Sequence, residues 1–260
     1  MTSTPHSSPT RSPSAAESEK NSSRGLPVRG WLFVDEARDG AWNMAIDEAL
    51  LDWRRDVPNS PPLVRATRWL SPAATLGRFQ RYVEFEIENA VRPSTRRITG
   101  GGAILHHHEI TLAIVAPTPS NGFPDPNPLA LAERAAETIR TAIAPDQPAL
   151  ERRGGESNER AEAELADCFE RRSPFDLVDE AGVKRAGFAL HRRAGRVLIQ
   201  GSIRRTPSDD ASGDTALFVR LARALGFERE PEELPAEVID RAGRLVESRY
   251  GTDEWNHRRK

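Results

Sequence analysis

Two stretches of the chain concentrate residue types that could do chemistry. In "RRITGGGAILHHHEITLAIVAP", residues 96–117, Arg96 and Arg97 precede Gly100, Gly101 and Gly102, and His106, His107 and His108 follow. "DCFERRSPFDLVDEAGVKRAGFAL", residues 167–190, holds the single cysteine, Cys168, and Lys184. Three successive glycines bring no side chain to a core and leave the backbone bare. One use is a run of N–H donors, flanked by arginines, that cradles an anion or a developing oxyanion. The other is a tight hairpin turn. No Lys-Ser/Thr follows the glycines, so a Walker-type phosphate loop is excluded, and the segment opens a strand rather than the helix a dinucleotide fingerprint needs.

The histidine triplet invites a zinc site. Neighbouring residues on a strand point to opposite faces, so the three cannot close on one ion, and His106 is left as the candidate to share a side with the glycines. Lys184 sits in an alternating segment that predicts a strand. There it could polarise a bound acyl carbonyl, or it could be a solvated surface lysine. Cys168 could be a small buried apolar residue or a nucleophile. An ammonium about 4 Å away would attract its thiolate by up to about 4 kcal/mol at an effective dielectric near 20. Half of that lowers a thiol pKa by about 1.5 units, enough to populate the thiolate at neutral pH.

Elements that position these groups follow from periodicity. "WLFVDEARDG" reads as a strand and turn. "AWNMAIDEALLDWRR" is an amphipathic helix with Trp42, Ala45, Ile46, Ala49, Leu50 and Trp53 at helical spacing. "LVRATRWL", "AATLGRF", "AIL" and "ITLAIVA" read as strands. Asn127 and Pro128 suit the start of a helix through "LALAERAAETIRTAI". Residues 145–167 form a polar excursion ending in a short helix. "PFDLVDEAGVKRAGFALHRRAGRVLIQGSI" gives strand, turn, strand, turn, strand. "DTALFVRLARALGF" and "PAEVIDRAGRLVESRYG" give two terminal helices, the second stopped by Gly251. Strands and helices interleave without strict alternation. The class is α+β, with a mixed, mainly antiparallel sheet flanked by helices.

The chain has 260 residues and a net charge of −2, so it is no polyanion binder overall, and no nucleic-acid partner is expected. One cysteine rules out an intrachain disulfide and fits a reducing compartment; a cytoplasmic location is expected. No apolar run approaches the roughly 20 residues of a membrane span. Residues 1–27 are Ser/Thr/Pro-rich and lack a signal-peptide core, so a disordered tail precedes one domain over 28–260 that includes both terminal helices.

Four stretches in order, "DGAWNMAIDEALL", "ATRWLSPAATLGRFQ", "RRITGGGAILHHHEITLAIVAP" and "GVKRAGFALHRRAGRVLIQGSI", resemble the lipoate branch of the lipoate/biotin protein ligase superfamily. The resemblance runs from about residue 30 to residue 205. It implies the catalytic-domain fold of those enzymes, with Lys184 against an acyl carbonyl. Arg96, Arg97, Gly100, Gly101, Gly102, Ala103, His106, Gly187 and Ala189 would then line the acyl site. Two chemistries share that scaffold. The cysteine-dependent octanoyltransferases carry a nucleophile followed by Phe, upstream of the lysine motif, and Cys168–Phe169 matches it. This form moves octanoyl from acyl carrier protein to a lysine of a lipoyl domain, in 2-oxoacid dehydrogenases or the glycine cleavage H-protein. It needs no cofactor and no metal, and a monomer is expected. The alternative is an ATP-dependent lipoate–protein ligase, which needs ATP and Mg. A further alternative is a non-catalytic paralogue that only binds acyl chains or lipoyl domains. Phe188 and Leu190 depart from the resembled pattern, which has Ser and Gln at those places. Arg192, Arg193, Arg196, Arg204 and Arg205 cluster around one hairpin and could steer an acidic partner.

Overall fold

The computed structural model describes residues 30–57, 60–87, 90–106, 109–119, 127–143, 150–154, 173–204, 213–224 and 227–258. Cys168, Phe169, His107, His108, Arg205 and the Ser/Thr/Pro-rich tail lie outside them. In chain order the elements are β1 (Trp31–Val34), α1 (Gly40–Asp52), β2 (Leu63–Thr67), β3 (Ala73–Leu76), β4 (Phe85–Ile87), β5 (Ala90–Arg92), β6 (Ser94–Arg96), β7 (Ile104–His106) and β8 (Glu109–Pro117). They continue with α2 (Pro128–Ile143), β9 (Glu151–Arg152), β10 (Leu177–Val178), β11 (Lys184–Arg193), β12 (Arg196–Arg204), α3 (Gly213–Ala224) and α4 (Ala236–Leu245). A π-helical turn over Val246–Tyr250 and α5 (Asp253–Asn256) close the described chain.

The main sheet has seven strands in the order β1-β2-β8-β12-β11-β10-β9, antiparallel except for the β1–β2 pair. A smaller sheet, β6-β3-β7, frames the glycine segment, and β4 and β5 form a separate hairpin. The expected α+β architecture with a mainly antiparallel sheet is what forms. β4, β5, β6 and β9 were not expected from periodicity; they are two or three residues long, too short to show it.

Two apolar layers sandwich the main sheet. On one face Leu112, Ile114, Val197 and Ile199 pack with Leu131, Ala135 and Ile139 of α2 and Phe218 of α3. On the other, Ala113, Val115 and Leu198 pack with Met44, Ile46 and Leu50 of α1 and Val238 and Ala242 of α4. Asp39 caps α1, its carboxylate accepting from the Trp42 N–H at 2.9 Å. With the sheet on one side and α4 on the other, α1 is buried almost all round, Asn43, Asp47 and Glu48 included. Those polar groups must find partners inside.

Candidate active site

The sheet register decides which side chains share the α1 face. Arg65, Ala113, Gln200 and Ala189 lie in one row across β2, β8, β12 and β11. Directly paired residues project to the same side. Arg65 reaches Asp47 of α1 at 2.7 Å, and Gln200 donates to the same carboxylate at 2.6 Å. Ala189 therefore faces α1, and Gly187, two residues away on the strand, does too. Phe188 belongs to the next row, with Gly201, Leu112 and Ala66, and both it and Leu190 pack into the opposite α2/α3 layer. The two apolar departures from the resembled pattern thus lie behind the sheet, away from the face that carries Gly187 and Ala189.

Lys184 begins β11 and is 5% exposed, not the solvated strand lysine. Its ammonium lies 2.9 Å from Asp176 Oδ1. Burial pushes the Asp176 carboxyl above its ordinary pKa, opposed by the Lys184 charge and by the Ser173 N–H that Asp176 also accepts at 2.8 Å. A Cβ on Gly187 would stand 2.7 Å from Lys184 Cε and 3.0 Å from Nζ. The missing side chain at 187 is where the lysine lies.

The glycine loop joins β6 to β7. Gly101 adopts φ +88°, a conformation L side chains rarely take. Gly77, after β3, presses against it: a Cβ there would sit 2.0 Å from the Gly101 carbonyl oxygen. Among the described residues nothing lies within 4 Å of where a Cβ on Gly100 would be. Ala103 is fully buried under the loop.

Arg96 and Arg97, expected beside a bound anion, brace the protein itself. The buried Arg97 guanidinium donates to the carbonyls of Gly100 at 2.9 Å and Gly102 at 2.8 Å. Its other N–H groups reach Thr75 Oγ1 at 2.8 Å, Thr75 O at 3.2 Å and Thr99 Oγ1 at 3.2 Å. Arg96 points elsewhere, to the carbonyls of Gly77, Gln80, Trp255 and Asn256, and so ties the end of the described chain to the loop after β3. A trans peptide sets C=O and N–H antiparallel. Because Arg97 draws the Gly100 carbonyl inward, the Gly101 N–H points the opposite way.

His106 is buried on the Arg97 side of the loop. Its ring stacks on Trp69 with centroids 3.7 Å apart, its Nε2 lies 2.7 Å from Thr75 Oγ1, and its Nδ1 contacts the Glu109 carboxylate. Thr75 Oγ1 accepts from Arg97, so its proton is available to Nε2, and Nδ1–H then serves Glu109. The tautomer with its proton on Nδ1 satisfies both of these contacts. Among the described residues no cluster of His, Cys, Asp and Glu is placed to hold a metal ion. No described helix is long and apolar enough to cross a membrane.

Two of the clustered arginines are structural. Arg193 pairs with Glu48 at 2.7 Å and Asp52 at 2.9 Å, and Arg196 is buried and donates to the Trp53 carbonyl. Neither projects as a steering charge. Sequence reasoning passed over Thr75, Gly77, Thr99, Asp176, Glu109 and Gln200. Asp47 and Glu48 stood inside a stretch read for its apolar face and its family resemblance, with no role assigned to either carboxylate. Their signal was a carboxylate pair amid residues that all had to be buried.

The model of the lipoyl protein ligase A/B catalytic domain matches residues 39–212. Octanoyltransferase LipM of Moorella thermoacetica is 37% identical over 195 residues, 71% of this chain and 68% of its own length. Octanoyltransferase LipM of Kyrpidia tusciae is 30% identical over 286 residues, 89% of this chain and 100% of its own. A solved structure of lipoate-protein ligase A bound with ATP has a TM-score of 0.68 at 18% identity, covering 89% of this chain and 99% of that one. The bi-partite lipoate protein ligase of Thermoplasma acidophilum, described with its E2 lipoyl domain, has a TM-score of 0.65 at 18% identity, covering 90% and 98%. At such identities the solved structures speak for the fold alone.

Proposed function

The chain belongs to the lipoyl protein ligase A/B catalytic-domain family, and from that premise we propose that it is an octanoyltransferase of protein lipoylation working through an acyl-enzyme on Cys168. In this reading the Cys168 thiolate attacks the carbonyl carbon of an octanoyl thioester on acyl carrier protein. The new S–C bond forms, the bond to the carrier sulfur breaks, and the carrier leaves as a thiol after taking up a proton. The ε-amine of a lipoyl-domain lysine then attacks the acyl-enzyme. A C–N bond replaces the C–S bond, the amine loses its proton, and the cysteine is regenerated. Neither step consumes a nucleotide.

The observation that carries the reading is the buried Lys184 ammonium lying over bare Gly187 on the α1 face. The glycine loop is tied to that same face, because Thr99 donates to Gln200 at 2.6 Å and Gln200 pairs with Ala189. In this reading the Lys184 charge and the Gly101 N–H, which points away from Arg97, would both favour an acyl oxygen that gains negative charge. The ammonium also favours a neighbouring thiolate. Cys168 enters through its Phe-followed position upstream of Lys184, and its relatives' name supplies the octanoyl group.

The test is intact mass of a lipoyl domain after incubation with this protein and octanoyl–acyl carrier protein, without nucleotide. An octanoyl adduct on the acceptor lysine is the expected result. Modification only by lipoate with ATP and Mg²⁺ would make the protein a ligase, and retention of both proteins without any adduct would make it a binding paralogue.

A further inference from the structure

Arg97 sits between two buried hydrogen-bond chains that end on carboxylates. On one side its Nε–H donates to Thr99 Oγ1 at 3.2 Å, the Thr99 hydroxyl donates to Gln200 Oε1 at 2.6 Å, and Gln200 Nε2 donates to Asp47 at 2.6 Å. On the other, Arg97 donates to Thr75 Oγ1 at 2.8 Å, Thr75 meets His106 Nε2 at 2.7 Å, and His106 Nδ1 meets Glu109. Every member is buried. On the Asp47 side every donor points away from the guanidinium toward the carboxylate; on the Glu109 side the same direction holds for the His106 tautomer that carries its proton on Nδ1. Chains polarised in one direction strengthen each link.

We propose that the Asp47–Gln200–Thr99 and Glu109–His106–Thr75 chains are positioning devices, which fix the plane of the Arg97 guanidinium and through it the Gly100 and Gly102 carbonyls. The planar fork can grip both carbonyls only in one orientation. The rotation of that plane is set by Nε and by the second terminal nitrogen, the atoms the two threonines hold. Turning it would release one or both carbonyls, and the Gly101 N–H would lose its outward direction. Asp47 therefore acts on the loop from the sheet-facing side of α1, through Gln200 and Thr99. This use of the loop rests on the octanoyltransferase reading; the positioning itself does not.

The isosteric change Thr99→Val removes the hydroxyl that links Arg97 to Gln200, and Thr99→Ser keeps it. Backbone ¹⁵N order parameters for Gly100–Ala103 are measured on the full chain without substrate, beside kcat and KM for octanoyl transfer. In Thr99→Val the loop order parameters fall from about 0.85 toward about 0.6, and kcat falls about tenfold, the rate equivalent of one buried hydrogen bond. KM changes less, and Thr99→Ser restores both readings. Thr75→Val and Thr75→Ser repeat the comparison on the second chain and serve where Thr99→Val does not fold. Unchanged loop order in a folded valine variant overturns the proposal. So does order lost equally across the sheet, or lost equally in the serine variants. The relaxation arm is read without catalysis, so a protein that proves not to be an octanoyltransferase leaves that arm able to decide.

Discussion

Lys184 Nζ and Asp176 Oδ1 stand 2.9 Å apart, with both side chains almost fully withdrawn from solvent. A buried pair of this kind contributes little net stability, but removing one partner strands the other. Its value here is placement: the carboxylate holds the ammonium over Gly187, on the face shared with the glycine loop.

Removing the charge should therefore cost stability as well as activity, because it strands the buried Asp176 carboxylate. Lys184→Ala is expected to lower octanoyl transfer at least about a hundredfold, the scale for losing one charge-stabilising donor. Lys184→Arg should also be poor, because a planar fork does not fit where a compact ammonium packs against Gly187. Gly187→Ala leaves Lys184 in the chain but contests the position of its tip, and transfer should fall about tenfold or more in a folded protein. Single-turnover rates measure all three; near-wild-type transfer by Lys184→Ala would remove the lysine from the chemistry.

Two glycines separate the loop's architecture from its use. Gly77→Ala places a methyl 2.0 Å from the Gly101 carbonyl oxygen, a backbone atom that cannot swing aside. It should destabilise the protein by about 1–3 kcal/mol in urea unfolding. Gly100→Ala meets open space and an ordinary backbone, so its unfolding midpoint should match wild type. If the acyl head group enters that space, Gly100→Ala raises KM for the acyl donor with stability intact. An unchanged KM would put the acyl group elsewhere.

Glu48 gives a prediction in pH. Burial pushes its carboxyl up, but the Tyr250 hydroxyl and the Arg249 and Arg193 guanidinium groups together outweigh burial and hold it below its ordinary pKa. A depressed folded-state pKa stabilises at pH above the unfolded value, and that contribution is lost as pH falls through the folded value. Glu48→Gln should cost about 3 kcal/mol at neutral pH. The gap between wild type and variant should close as the solution is acidified below the ordinary carboxylate range. A gap that widens in acid would reverse the sign assigned to this group. Asp47, its neighbour, lies on the other side of normal: burial raises it despite Arg65 and Gln200.

The strands and helices long enough to carry a period were legible in the sequence, from α1 to the β11–β12 hairpin and its turn at Ala194 and Gly195. Lys184 and the glycines were legible as types. What they touch was not. Arg97 looked like an anion ligand because sequence shows a guanidinium beside glycines but not the carbonyls that take up its donors. Gln200 gave no sign either, since its role depends on three strands aligning it with Arg65 and Ala189. Arg193 and Arg196 read as surface charge, because their carboxylate and carbonyl partners lie more than a hundred residues away in the chain. Register and long-range pairing carry this information, and neither has a local signature.

The acyl-enzyme is tested most directly by intact-mass spectrometry of the protein after exposure to octanoyl–acyl carrier protein without an acceptor. The account predicts a single octanoyl adduct on Cys168 that hydroxylamine removes and that Cys168→Ser does not form as a thioester. Full transfer to a lipoyl domain by Cys168→Ala, with no adduct on the wild-type protein, would contradict it.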